Sequence, residues 1–223
     1  MVRFLLLPLF IASQLVAEPI SVTAVSYNVR YDSSSDRGAK DWERRKDKVA
    51  EFLSDQQPSF FGLQEVLHGQ LIDVKNAHPE FRSIGVGRDD GKTRGEYSPL
   101  FYDHETWKID QDQQGTFWLS ETPTVPNSKT WGNGITRICT WARLIHRSSG
   151  KAIYVFNTHW DHRSQQSRKK SAELILQRIR ARAHGDEPFI LMGDLNATTD
   201  SSSVKVLLNS GVLSDPGGKQ FRT

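Results

Sequence analysis

Gly193-Asp194-Leu195-Asn196, directly after the apolar run Phe189-Ile190-Leu191-Met192, sets a carboxylate and a carboxamide two residues apart. At the end of a strand that spacing puts both side chains on one face. The pair suits phosphate-ester chemistry. An aspartate orients or deprotonates a water, and an asparagine amide donates to a phosphoryl oxygen without adding charge. The same tetrapeptide is also ordinary turn and helix-cap chemistry, so its context decides. Three further segments supply that context. Ser26-Tyr27-Asn28-Val29-Arg30 closes an alternating run from Ile20. Phe60-Phe61-Gly62-Leu63 runs into Gln64-Glu65-Val66, and Tyr154-Val155-Phe156-Asn157-Thr158-His159 is followed by Trp160-Asp161-His162. Four strands therefore end in Asn, Glu, His or Asp, and hard oxygen donors beside a histidine suit Mg²⁺ and a phosphate ester.

The ordered set Tyr27-Asn28, Gln64-Glu65, Asn157-Thr158-His159 and Gly193-Asp194-Leu195-Asn196 resembles the endonuclease/exonuclease/phosphatase superfamily. The segments Gly85-Val86-Gly87-Arg88-Asp89-Asp90-Gly91, Gly95-Glu96-Tyr97-Ser98-Pro99 and Gly115-Thr116-Phe117-Trp118-Leu119-Ser120 are similar to a secreted bacterial branch of it. The resemblance implies that Glu65 is the Mg²⁺-binding glutamate, with Mn²⁺ as a substitute ion, and that Asn28 helps to hold metal and phosphate. It implies His159 as the histidine on the scissile phosphate, Asp194 as the water-orienting aspartate and Asn196 as the phosphate-binding asparagine. Arg30, where some members carry an acidic residue, would bind an anionic substrate group if it points into the site. Glu96 and Tyr97 lie in a segment resembling a loop near the substrate, with a structural turn as the other reading. His162 could position substrate.

The family's last motif, a serine-aspartate-histidine, has no counterpart after Asn196. The expectation is a truncated member with weak or no catalysis, and with an uncovered sheet edge if further strands normally lie there. The substrate reading stays open among a phosphorylated small molecule, a lipid head group and a nucleic acid. A hydrolase acting as phosphodiesterase or phosphatase leads, a nuclease is the second reading, and a non-catalytic phosphate or polyanion binder is the third.

The patterns of the intervening segments predict an α+β domain. Two sheets pack as a β-sandwich flanked by helices, four layers in the deoxyribonuclease-like manner, with the site where loops from both sheets converge. Trp42, Arg45, Val49, Phe52 and Leu53 recur at helical spacing, and Leu67, Leu71 and Val74 suggest a second helix. Ser164 to Ala183 reads as a long amphipathic helix with Leu174, Ile175 and Ile179 inward, and Ser148-Ser149-Gly150 as a hairpin. The loop from Asp32 to Asp41 is expected beside the mouth, its Asp32 and Asp36 as loop polarity or secondary metal contacts. Trp118, Trp131, Trp141 and Trp160 are either core residues or stacking platforms.

Arg3 before the apolar run Phe4 to Ala12, and Leu15-Val16-Ala17 before Glu18-Pro19, read as a secretory signal over residues 1–17. The domain would occupy 18–223, secreted or periplasmic, monomeric and without stable membrane insertion. A net charge of +3 over 223 residues is too small an excess to diagnose nucleic-acid binding. Cys139 is the single cysteine, so no internal disulfide can form, and a buried small hydrophobe is its expected role.

Overall fold

The computed structural model describes residues 19–215, so residues 1–18, which contain the expected signal segment 1–17, and 216–223 lie outside the described residues. The first sheet holds β1 (Ala24–Asn28), β2 (Phe60–Gln64), β3 (Phe81–Ile84) and β4 (Leu100–Asp103) in the order β1-β2-β4-β3. The second holds β5 (Trp107–Trp118), β6 (Ile138–His146), β7 (Ala152–His159) and β8 (Phe189–Asp194) in that order. In each sheet one pair is parallel, β1 with β2 and β7 with β8. Parallel neighbours need a crossover, and helices supply it: α1 (Trp42–Asp55) between β1 and β2, α3 (Gln165–Arg180) between β7 and β8. This places the carboxyl ends of β1, β2, β7 and β8 where chemistry can gather. Two more helices, α2 (His68–Ala77) and α4 (Ser202–Leu208), complete the outer layers.

The layers follow from which face of each strand is apolar. Along β2, Phe60 faces Leu100, Tyr102, Leu144 and Val155 between the sheets, while Phe61 and Leu63 pack on Val49, Leu53 and Val74 of the helices. On the other side Tyr154 and Phe156 of β7 pack on Ala172, Ile175, Leu176 and Ile179. Strands buried on both faces read as continuous apolar runs, as β2 and β7 do. The helices start where capping chemistry dictates. Asp41 accepts from Glu43 N ahead of α1, and Ser164 accepts from Ser167 N ahead of α3.

A polar link crosses the inter-sheet core. Asn157 on β7 donates to Leu63 O at 2.9 Å and to Pro99 O at 2.8 Å, and accepts from Gln64 Nε2 at 2.7 Å. A Cβ on Gly62 would come within 2.5 Å of the Asn157 Cγ, so the glycine makes room for the amide. Gly193 likewise permits close approach: at φ +145° its Cβ would lie 2.1 Å from Thr158 O.

Several expectations are adjusted. The third helix ends at Arg180 rather than Ala183, and Leu176 is buried where Leu174 is only partly so. Phe52 is 41% exposed and lies against Tyr27, with ring centroids 5.0 Å apart. Trp118, Trp131 and Trp160 are core residues, and Trp141 stacks on Tyr154 and Phe156. Cys139 is fully buried, and burial pushes its thiol pKa far up. Between β6 and β7 the chain turns through Ser148-Ser149-Gly150 as the hairpin reading has it. Among the described residues no helix is long and apolar enough to cross a membrane.

Candidate active site

Asn28 ends β1, Glu65 follows β2, His159 ends β7 and Asp194 ends β8. The four meet because the two parallel pairs point their carboxyl ends the same way. Asn28 Nδ2 donates to Glu65 Oε1 at 2.9 Å and to Asp194 Oδ2 at 3.0 Å, so one amide joins two carboxylates from different sheets. Tyr31 N also donates to Glu65 Oε2 at 3.2 Å, and Asn196 N to Asp194 Oδ1 at 2.9 Å. Three of these loop residues sit in the left-handed region: Arg30 at φ 59°, Glu65 at 62° and Asn196 at 46°. Asparagine tolerates that region; glutamate and arginine are strained in it. Such strain persists only where the surroundings over-determine the backbone.

Asn196 Nδ2 donates to His159 Nε2 at 3.0 Å and to Trp160 O at 2.9 Å. Nε2 is therefore the unprotonated nitrogen, and Nδ1 carries the proton, 4.0 Å from Glu96 Oε2. Burial, reinforced by the Arg137 charge, pushes the His159 pKa down to about 3, so the imidazole is neutral at physiological pH. Its Nε2 lies 3.8 Å from Asp194 Oδ2. The Nδ2 hydrogens of Asn28 and Asn196 are all spent within the site, so what it holds open are the lone pairs of Glu65 and Asp194, which suit a cation and a water.

The other predicted residues divide. Glu96 stands at the site, held in a two-pronged pair by Arg88 at 2.7 and 2.8 Å. His162 accepts from Arg137 Nη2 at 3.0 Å. Tyr97 lines the same narrow cleft as His159, but its ring belongs to the helix-side core and its hydroxyl donates to Lys92 O at 3.0 Å. Arg30 is committed elsewhere: its guanidinium clasps Asp36 at 2.7 and 2.9 Å, and its N–H donates to Asn28 Oδ1. Asp36 is thus that arginine's counter-ion, and Asp32 N donates to Gln70 Oε1. Asp161 caps the turn before α3, accepting from Arg163 N and Ser164 N.

Sequence reasoning passed over Arg137, which lies just before β6 and is 3% exposed beside His159 in the cleft. Arginine ahead of the alternating strand Ile138-Cys139-Thr140-Trp141 was the available signal, and nothing local marks it as buried. Next to the cleft, sharing Arg88 and Thr136 with it, a cavity of about 430 Å³ opens between Arg94, Lys129 and Asn127.

Among the described residues no three His, Cys, Asp or Glu side chains form a chelating cluster. Mg²⁺ needs none, because it keeps several waters and takes one or two carboxylates. Glu65 and Asp194, both only partly buried and both within hydrogen-bond reach of one amide nitrogen, fit that ion.

The Endonuclease/Exonuclease/phosphatase family model matches residues 25–223. An endonuclease/exonuclease/phosphatase family protein of Bacteroides thetaiotaomicron superposes with a TM-score of 0.85 at 38% identity, over 91% of this chain and 73% of that one. A mannosyl-6-phosphatase of the same species gives 0.83 and 38%, over 87% and 73%. An uncharacterised protein of Acanthamoeba polyphaga mimivirus is 26% identical over 176 residues, 76% of this chain and 64% of its own length. The chain thus spans less than two thirds of that curated relative. With four strand-end motifs gathered at one point and a matching family model over most of its length, the chain belongs to the endonuclease/exonuclease/phosphatase family.

Proposed function

We propose that this protein is a Mg²⁺-dependent hydrolase of phosphate esters acting on a small phosphorylated molecule. The observation that carries the reading is the Asn28 amide, 2.9 Å from Glu65 and 3.0 Å from Asp194, which draws a metal-type carboxylate and a water-orienting carboxylate to one point. Glu65, with Asn28 beside it, would hold the ion. Bound there, Mg²⁺ supplies neutralising charge for phosphoryl oxygens. Asp194 orients a water and takes its proton as the water oxygen bonds to phosphorus. The ester P–O bond breaks, and the leaving oxygen keeps the electron pair and gains a proton. Asn196 and His159 stand beside the phosphoryl group, and each would turn a donor to its oxygens on giving up the hydrogen bond that joins the two in this structure.

Likeness to a mannosyl-6-phosphatase at 38% identity supports a phosphatase over a nuclease. The cavity of about 430 Å³ suits a small organic group better than a polymer chain. Export to the periplasm or beyond, and a monomeric state, belong to the same reading, with the leader-like residues 1–17 in support of export.

The test is Mg²⁺-dependent release of phosphate from nitrophenyl phosphate by the purified chain and by Glu65→Gln. Activity in the first and its loss in the second is the expected result. Equal rates in both would overturn the assignment of Glu65, and no rate in either folded protein would favour a phosphate binder.

A further inference from the structure

Two turns meet at Glu65, and each holds a backbone conformation that its residue resists. Arg30 stands at φ 59° in the turn after β1, and Glu65 at φ 62° in the turn after β2. Tyr31 N of the first turn donates to Glu65 Oε2 at 3.2 Å, and Asn28 Nδ2 to Oε1 at 2.9 Å. The carboxylate is thus aimed by the end of β1 and the turn that follows it. Whatever fixes that turn against the second one also fixes the carboxylate.

Gln70 makes this connection. It lies in the first turn of α2 and is 1% exposed. Its Oε1 accepts from Leu67 N and from Asp32 N, each at 3.0 Å, and its Nε2 donates to Arg30 O at 2.9 Å. A helix start needs only the bond to Leu67 N. The other two reach across to the turn after β1 and take the carbonyl before Tyr31 and the N–H after it. Arg45 on α1 grips the same turn from a second helix. Its Nη1 donates to Val29 O, its Nη2 to Arg30 O at 3.2 Å and its Nε to Lys40 O at 2.8 Å. These bonds over-determine the strained turn.

We propose that Gln70, with Arg45, is a positioning residue for the cation site. It locks the turn of Arg30 to Asp32 onto the start of α2 and so holds the Glu65 carboxylate ready for a divalent ion. This rests on the reading of Glu65 as the metal-binding residue of a hydrolase. Groups that orient a metal ligand commonly set affinity by roughly 10- to 100-fold.

The experiment is titration with Mn²⁺, read by the loss of the free-ion electron paramagnetic resonance signal. It uses the purified wild type, Gln70→Met, Arg45→Lys, Glu65→Gln and Ser164→Ala, each below its unfolding temperature in excess chelator. Gln70→Met keeps the length and removes all three bonds, and Arg45→Lys keeps the charge without the fork. Ser164→Ala loosens the start of α3 and controls for lost stability. Hydrolysis of nitrophenyl phosphate is followed against Mg²⁺ concentration alongside.

Gln70→Met should bind Mn²⁺ about 10-fold more weakly than the wild type, and Arg45→Lys more weakly by a smaller factor. Ser164→Ala should match the wild type, and Glu65→Gln should not bind. The Mg²⁺ concentration for half-maximal rate should rise in step, with kcat at saturating Mg²⁺ held. A purely structural role would lower the unfolding temperature and leave that concentration where it was. Unchanged affinity in either folded variant, or equal weakening in Ser164→Ala, would overturn the proposal. If Gln70→Met does not fold, Arg45→Lys decides by the same criterion, and failure of both to fold would overturn it too. Binding that needs Glu65 but not Gln70 would sink the clamp and leave the hydrolase reading standing. Binding that needs both, without any hydrolysis, would do the reverse.

Discussion

Two polar links join the sheets of this sandwich, and they differ in what is left over. In the interior, the Asn157 amide spends both donors on Leu63 O and Pro99 O and its oxygen on Gln64, all of it fully buried. At the edge, the Asn28 amide reaches Glu65 and Asp194 from β1, a strand with no buried residue. The carboxylates it touches stay partly open to solvent and keep lone pairs free for a ligand. A saturated link has nothing to offer a substrate and serves to fix the two sheets in register. An unsaturated one stabilises less and can do chemistry.

The contrast predicts effects on different observables. Asn157→Ala should cost about 3 kcal/mol of stability in urea unfolding, since it strands buried partners. A loss under about 1 kcal/mol would show that the interior link is dispensable. Asn28→Ala should lower kcat/KM about 100-fold and change stability by about 1 kcal/mol or less. A variant that unfolds as readily as Asn157→Ala would erase the distinction between the links.

The histidine beside the edge link gives a pH signature. Its folded pKa of about 3 lies below the ordinary 6.5, so between those values the unfolded chain binds a proton that the folded chain refuses. Stability should therefore fall as pH drops through 6.5 toward about 3. From pH 7 to 5 that amounts to about 2 kcal/mol, measured without divalent ions. His159→Gln should flatten this part of the curve, and an unchanged slope in it would place the titration elsewhere. The smallest effect expected is at Ser164, remote from both links: removing the α3 cap as Ser164→Ala should cost about 1 kcal/mol and leave kcat/KM alone.

Much of this arrangement was legible because strand ends announce themselves. Apolar runs stop at Asn28, Gln64-Glu65, His159 and Asp194, and the parallel pairs bring those stops together. What the residues could not show is which polar groups lie inside. Gln64 and Asn157 sit in the same motifs as Glu65 and His159, yet the first pair lies inside the sheets, while Glu65 stands one residue past β2 and His159 at the last position of β7. Arg30 and Arg137 illustrate the same blindness. Side-chain pairing sends Arg30 to Asp36 and Arg137 to His162, with Asp161 3.9 Å away, and pairing depends on the fold rather than on local spacing.

The left-handed backbone at Glu65 sets evolution of the protein against its engineering. A glycine there would relax the φ of 62° that the glutamate is forced to hold, at the expense of the carboxylate. A library sorted only for heat tolerance would enrich that glycine and so breed sturdier proteins that have lost their chemistry. Any thermostabilisation campaign on this scaffold therefore has to freeze position 65 or select on turnover in the same round.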